Sequence, residues 1–318
     1  MITMAVDTKA ILEKPVEKPS EPPKKKGFID EWKEKHESRI KEFRYSFHMF
    51  SRSPLAIVGL LTVLVFLLIM IFAPYIAPYG PMDWDWNHMK EAPSLQHLFG
   101  TDDRGADVFS RVIWGSRLSM PVGFAVVISA VIVGTIIGII SGYYGGAVDE
   151  LMMRITDIFL SFPYLVLAMV VCAALGRSLE NVMFAMTITW WPSYARLVRG
   201  QVLSIRENKY VEAARALGAS NTRIMFRHIL PNSISPIIVQ ATMDVGGAIL
   251  TAAGLSFIGF GAKPGQAEWG RMVSDGSNYF FGQWWIATFP GLVILLITLG
   301  FNLFGDGLRD ILDPKLRR

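Results

Sequence analysis

The sequence is poor in the residues that build redox, metal or nucleotide chemistry. Cys172 is the only cysteine among 318 residues, so no disulfide can form within the chain. The five histidines do not show the spacing of metal ligands. The sequence contains no Gly-Lys pair, and therefore no GxxxxGK[ST] loop to cradle nucleotide phosphates, and it has neither a GxSxG nor an HExxH motif. We therefore expect no catalytic residue, no metal and no cofactor bound by this chain.

Long apolar runs are the main feature that the sequence does have. Hydrophobic residues make up 52% of the chain, and the mean hydropathy is +0.36. A helix of about 20 apolar residues crosses the hydrocarbon layer of a membrane. We therefore predict an all-α polytopic membrane protein with six transmembrane helices. The runs lie at 54–78, 118–141, 157–175, 181–203, 234–258 and 284–305.

The N-terminal region precedes the first apolar run by about fifty residues, so no secretory signal peptide is expected. Residues 1–26 are rich in Lys, Glu and Pro, which predicts a disordered tail. Aromatic and apolar residues recur at helical spacing in 27–53, opposite a basic face. This pattern predicts an amphipathic helix at the cytoplasmic membrane surface. Packing of that helix on the cytoplasmic side of the protein itself is the alternative.

The distribution of charge predicts the orientation. Segment 79–117 carries four basic against six acidic residues, whereas the N-terminal region, the loop 204–233 and the tail 309–318 are basic. Basic segments between spans stay on the cytoplasmic side. We therefore expect both termini to be cytoplasmic and 79–117 to be an extracytoplasmic loop. The same rule explains the basic residues without any nucleic-acid partner.

The loop between the fourth and fifth runs contains the stretch EAARALGASNTRIMFRHILPN, residues 212–232. Small residues favour a helix at its start, and Gly218 breaks that helix and permits a positive φ. Ser220 or Asn221 can cap a second helix, and Pro231 should limit its length. We predict two short helices joined by a turn. Such an element suits docking to a soluble partner, because small residues let another backbone come close.

This stretch resembles the EAA loop in the membrane subunits of binding-protein-dependent ABC importers. Glu212, Ala213, Ala214, Gly218, Leu230 and Pro231 are in register with its pattern, and His228 replaces an Ile. Further segments resemble the C-type subunit of the dipeptide/oligopeptide (nickel) permease family. They are 99–123, 141–171, 253–261 and 306–317.

The resemblance implies a permease core of five spans, residues 118–308, to which the first span is an addition. It also implies a non-catalytic subunit in the cell membrane of a prokaryote. Its partners would be a homologous second permease, two cytoplasmic ABC ATPases that hold ATP and Mg, and an extracytoplasmic solute-binding protein. Alternating access would be coupled to the ATPases through 204–233. The coupling residues would be Tyr210, Glu212, Ala213, Ala214, Arg215, Leu217, Gly218, Arg223, Arg227 and Pro231.

Asp244 lies near the middle of the fifth run, where a carboxylate is energetically unfavourable and usually faces a cavity or a partner. We expect Asp244 and Gln240 to be candidate residues of the transport pathway. The alternatives are a hydrogen bond to a neighbouring helix and a charged partner on the other subunit.

Two further questions stay open at the level of sequence. The cargo could be an oligosaccharide or a nickel chelate instead of a peptide, and a stand-alone secondary transporter or channel is the rival class. Such transporters favour internal repeats, and none is visible in this sequence.

Gly134 and Gly138 form a small-xxx-small pair for close helix packing, either within this subunit or against a second permease.

Overall fold

The computed structural model describes residues 50–312, and this part of the chain is helical and contains no strand. The tail 1–26, residues 27–49 of the predicted amphipathic helix and residues 313–318 lie outside the described part. The helices of the described part are α1 (Pro54–Ile76), α2 (Val108–Tyr144), α3 (Gly146–Leu160), α4 (Tyr164–Leu175), α5 (Leu179–Arg206), α6 (Lys209–Ala216), α7 (Asn221–Ile258), α8 (Trp269–Ser277) and α9 (Trp285–Leu312).

Within residues 50–312, four helices are long and apolar enough to cross a membrane, namely α1, α2, α7 and α9. The consecutive helices α3 and α4 provide a fifth crossing if the pair is counted as one span. Helix α5 has 28 residues, which is sufficient length, but its arginines lower its hydropathy. The all-α polytopic fold is thus confirmed, and the number of six spans stays a prediction.

The predicted third span, 157–175, is not one continuous helix. Helices α3 and α4 meet there at an angle of 84°. Pro163 stands immediately before α4, and a proline has no N–H with which to continue the hydrogen-bond ladder of α3. It also disfavours a helical conformation at the preceding Phe162. The proline therefore produces a sharp break inside the predicted third span.

Helix α2 begins at Val108, ten residues before the predicted start of the second span at 118. The Asp107 carboxylate caps it by accepting a hydrogen bond from the Ser110 N–H at 2.7 Å. A helix of 37 residues is about 55 Å long, against roughly 30 Å of hydrocarbon. The helix is therefore longer than the hydrocarbon layer is thick, and its first turns occupy the end of the predicted outer loop 79–117.

Close packing of α2 against α5 explains the glycine pair of the second span. A β-carbon placed on Gly138 would lie 2.5 Å from the Ala195 carbonyl oxygen, and one on Gly134 would collide with Tyr194. The two backbones can approach this closely because both α2 positions lack a side chain. Of the two alternatives, the structure therefore shows packing within the subunit.

Buried charged and polar groups hold together the outer segment, which we define as residues 77–107 with the start of α2. Arg111 pairs with Asp102 in the interior, and its guanidinium also donates to the carbonyls of Gly265 and Gln266 at 3.2 and 3.3 Å. The indole N–H of Trp285 donates to the Thr101 carbonyl at 3.1 Å. The outer segment is thus a folded layer tied to α2, to α9 and to the loop before α8.

Glu268 anchors α8 next to this layer. Its carboxylate caps α8 by accepting hydrogen bonds from the N–H groups of Gly270 and Arg271, and it accepts another from the Ser119 hydroxyl of α2. Burial raises the pKa of the Glu268 carboxyl, and the backbone N–H groups act in the opposite direction. The neighbouring Trp269 is fully buried, and its indole N–H donates to the Val112 carbonyl at 2.9 Å.

Candidate functional site

The segment predicted to couple to the ATPases, residues 204–233, connects α5 to α7 through the short helix α6, and we call it the coupling segment. Gly218 ends α6 with a φ of +78°, the left-handed conformation that the sequence predicts. Two backbone hydrogen bonds close this turn: the Gly218 N–H donates to the Arg215 carbonyl at 3.0 Å, and the Ala219 N–H donates to the Ala214 carbonyl at 3.1 Å. The first helix and the turn of the predicted pattern are therefore present.

The second helix of the segment begins as predicted but does not end there. Ser220 caps α7 by accepting from the Arg223 N–H at 3.4 Å, whereas Asn221 accepts a hydrogen bond from the Tyr143 hydroxyl at 2.8 Å. The prediction that Pro231 limits this helix is wrong, because α7 continues to Ile258.

A π-helical stretch, Ile224–Ile229, explains how the helix passes through Pro231. The Leu230 N–H donates to the carbonyl of Met225, five residues earlier. A proline ring in an α-helix collides with the carbonyl four residues before it. Since a π turn is wider and shifts the hydrogen bonds by one residue, it accommodates the proline.

The coupling segment has one apolar face inside the protein and another face in contact with solvent. Val211, Ile224 and Ile229 are fully buried in a small hydrophobic cluster with residues of α2 and α5. Leu217 is 88% exposed and Tyr210 is 45% exposed. We call the outward face the coupling surface; its members are Tyr210, Glu212, Ala213, Arg215, Leu217, Gly218, Arg223, Arg227 and Pro231, all exposed.

Ala214 is the predicted coupling residue that does not belong to this surface. It is partly buried and packs against the hydrophobic cluster beneath α6. Its small side chain therefore serves the close approach of α6 to the rest of the subunit.

Arginines of α5 fix the base of the coupling segment. Arg199 donates two hydrogen bonds to the Asp149 carboxylate, each of 2.6 Å, and so joins α5 to α3. Arg206 donates to the Gly142 carbonyl of α2 at 2.8 Å. Neither contact could be predicted from the sequence, because the partners lie 50 and 64 residues apart and no local spacing links them.

The predicted pathway residues Asp244 and Gln240 are in direct contact on α7. The Asp244 carboxylate accepts hydrogen bonds from the Tyr194 hydroxyl of α5 at 2.6 Å and from the Gln240 amide at 2.9 Å. A hydrogen bond to a neighbouring helix, one of the alternatives for Asp244, is therefore present. No ion pair to Asp244 occurs within residues 50–312. The sequence did not indicate Tyr194 as the partner of Asp244, because Tyr194 lies on α5 and Asp244 on α7.

The same carboxylate also lines a cavity. We call it the upper cavity. It has a volume of about 380 Å³ and is bordered by the break between α3 and α4. Its lining consists of Leu160, Phe162, Pro163, Tyr164, Thr189, Trp190, Ser193, Gln240 and Asp244.

A second, lower cavity of about 530 Å³ lies between α5, α7 and the end of α9. Its lining consists of Leu197, Gln201, Asn232, Ser235, Pro236, Val239, Gln240, Met243, Arg309 and Leu312. Gln240 borders both cavities. Among the described residues there is no group of three or more His, Cys, Asp or Glu side chains that could hold a metal ion.

Comparison with known proteins identifies the family. Residues 134–318 match the binding-protein-dependent transport system inner membrane component, and residues 42–93 match the N-terminal transmembrane domain of oligopeptide transport permease C. The chain is 47% identical over 278 residues to the dipeptide transport system permease protein DppC of Alkalihalophilus pseudofirmus, covering 87% of this chain and 91% of the relative. It is 50% identical to the probable D,D-dipeptide transport system permease protein DdpC of Escherichia coli, covering 84% and 90% respectively.

A glutathione transport system permease protein, GsiD of Pectobacterium atrosepticum, is 42% identical and covers 86% of this chain and 92% of the relative. Among solved structures, the MetNI methionine ABC transporter in inward-facing conformations matches with a TM-score of 0.52 at 18% identity, over 63% of this chain and 96% of that one. At that identity the structural match supports the fold alone. The sequence matches decide the family: the chain belongs to the inner membrane components of binding-protein-dependent transport systems, as a C-type permease of the peptide ABC importers.

Proposed function

We propose that the chain is one of two homologous permease subunits of an ATP-driven importer of dipeptides and oligopeptides. The similarity to dipeptide permeases over 84–87% of the chain carries this proposal. The other partners are two cytoplasmic ABC ATPases, which bind the ATP and Mg, and an extracytoplasmic solute-binding protein. The complex lies in the cell membrane of a prokaryote, with both termini of this chain in the cytoplasm.

The coupling surface is where the ATPases dock in this proposal. Its exposed Leu217 and Tyr210 supply apolar contact area, and the arginines supply charge. Because the buried face of α6 and the start of α7 pack on α2 and α5, a displacement of the docked ATPases moves the spanning helices. This linkage supports alternating access driven from the cytoplasmic side.

Reconstitution tests the proposed activity. The permease pair, the ATPases and the binding protein in proteoliposomes should import a radiolabelled dipeptide only when ATP is present. Import without ATP would favour a stand-alone transporter. Import of an oligosaccharide or a nickel chelate, with no import of dipeptides, would replace the peptide cargo by one of the alternatives.

The purified chain without its partners should hydrolyse no ATP, because it has no phosphate-binding loop. The measurement is phosphate release, with and without vanadate, by the subunit alone and by the assembled complex. Vanadate-sensitive turnover by the subunit alone would contradict the non-catalytic role.

Cysteine labelling tests the topology. In a Cys172→Ser background, Asn87→Cys should react with a membrane-impermeant maleimide in intact cells, and Asn221→Cys should react only after lysis. Both asparagines are exposed, so burial does not limit the reaction of either cysteine with the maleimide. The reverse pattern would place the coupling segment outside the cell.

A further inference from the structure

The two cavities beside α7 contain charges of opposite sign. Asp244 lies in the upper cavity and Arg309 in the lower one, and Gln240 is shared by both. The remaining polar lining continues from one cavity to the other along α5 and α7, through Thr189, Ser193, Gln201, Asn232 and Ser235. Both volumes lie within the range of roughly 300–1,000 Å³ that is typical of ligand pockets.

Asp244 is held in place by hydrogen bonds but has no cationic partner within residues 50–312. Its two bonded partners there, the Tyr194 hydroxyl and the Gln240 amide, are neutral donors. A carboxylate at membrane depth is unfavourable unless it faces water or an opposite charge. The two hydrogen bonds orient the carboxylate, and a cationic ligand in the cavity would complete its environment.

Aromatic rings in the upper cavity favour a cationic group in the same place. Tyr164 and Trp190 both line it, in an edge-to-face arrangement with ring centroids 6.3 Å apart. Aromatic faces attract ammonium groups, and the attraction is larger where water is excluded. The rings and the carboxylate thus select the same kind of ligand group independently.

Arg309 gives the lower cavity a preference for an anionic ligand group. It is exposed at the end of α9 and forms no ion pair with any residue of 50–312. A guanidinium in this position suits a carboxylate, to which it can donate two parallel hydrogen bonds.

From this arrangement we propose that the two cavities form one polar path for a zwitterionic cargo. Asp244 receives the α-ammonium group of a peptide and Arg309 receives its α-carboxylate. The inference rests on the proposed peptide import and specifies which residues recognise the cargo. Both ends of a peptide are charged at neutral pH, whereas a neutral oligosaccharide presents neither charge.

Charged thiol reagents test the sign of each cavity in the assembled complex. In a Cys172→Ser background, Ser193→Cys reports on the upper cavity and Ser235→Cys on the lower one. The probes are cationic trimethylammonium-ethyl and anionic sulfonatoethyl methanethiosulfonate. Adding Asp244→Asn should lower the cationic-to-anionic rate ratio at Ser193→Cys by about fivefold, and Arg309→Gln should raise the ratio at Ser235→Cys by a similar factor.

Uptake of a labelled dipeptide into proteoliposomes, delivered by the system's own binding protein, tests recognition of the cargo. Asp244→Asn and Arg309→Gln should each lower uptake about tenfold at unchanged complex yield, and Asp244→Glu and Arg309→Lys should restore most of it. Tyr194→Phe leaves the Asp244 carboxylate in place. It should therefore leave the cationic-to-anionic rate ratio at Ser193→Cys unchanged. Unchanged ratios at both cysteines, or normal uptake by both charge-removing variants, would overturn the inference. A wild-type complex that imports no dipeptide would instead refute the proposed function.

Discussion

Gly218→Val should reduce both co-purification of the ATPases and peptide transport roughly tenfold, while the permease still inserts into the membrane. Gly218 has a φ of +78°, and a side chain in the left-handed region raises the energy by about 1–2 kcal/mol. The penalty is largest for a β-branched residue. No atom lies within 4 Å of a β-carbon added at this position, so the effect should arise from the backbone conformation and not from a clash. Pull-down of the complex through the permease measures the loss.

Gly218→Asn is the matched control for this variant. Asparagine adds a side chain of similar size but tolerates the left-handed conformation. It should therefore retain most of the docking and transport that valine loses. Equal losses in both variants would show that the exposed surface, and not the turn geometry, is what the ATPase needs. Normal docking and normal transport of Gly218→Val would contradict the role of the turn altogether.

Arg111→Met should cause the largest loss of stability among the substitutions considered. It leaves the Asp102 carboxylate buried without its guanidinium, and breaking a buried ion pair typically costs about 3–5 kcal/mol. We expect the melting temperature of the complex to fall by roughly 10 °C. Hydrogen exchange in residues 97–107 should accelerate, because the Thr101–Asp107 turn loses its anchor on α2.

Arg154→Met provides the comparison for a solvent-exposed pair. Arg154 and Glu150 are 3.6 Å apart on α3, and both side chains are more than 70% exposed. Exposed pairs contribute about 0–1 kcal/mol, so the melting temperature should hardly change. If the two methionine variants lowered the melting temperature equally, the outer segment would not depend on its buried charges.

Features encoded by local sequence could be predicted from the chain alone. The apolar runs that became α1 and α9 are long and contain no charged residue, and the turn at Gly218 follows from a glycine placed after a short helical stretch. The cap that Ser220 forms at the start of α7 was predictable for the same reason. Each of these features depends on residues within one or two helical turns, which a single sequence displays directly.

Features that depend on distant contacts could not be predicted in the same way. The early start of α2 depends on a layer in which Arg111 reaches the carbonyls of Gly265 and Gln266, more than 150 residues away. Asp244 stood out because it is a lone carboxylate in an apolar run, but its partner Tyr194 looked like one more aromatic residue of another span. The 84° angle at Pro163 could not be predicted, because the sequence shows the proline but not the angle between the flanking helices.

The π-helical stretch before Pro231 also determines the rotational phase of α7. A π turn contains about one residue more than an α turn, so everything after it is rotated by roughly 100° relative to a regular helix. Were Ile224–Ile229 regular, Asp244 would be turned by about a quarter of a revolution away from Tyr194, with the coupling surface held fixed. The irregular turn therefore sets which side of α7 faces the cavities and which side faces the surrounding helices.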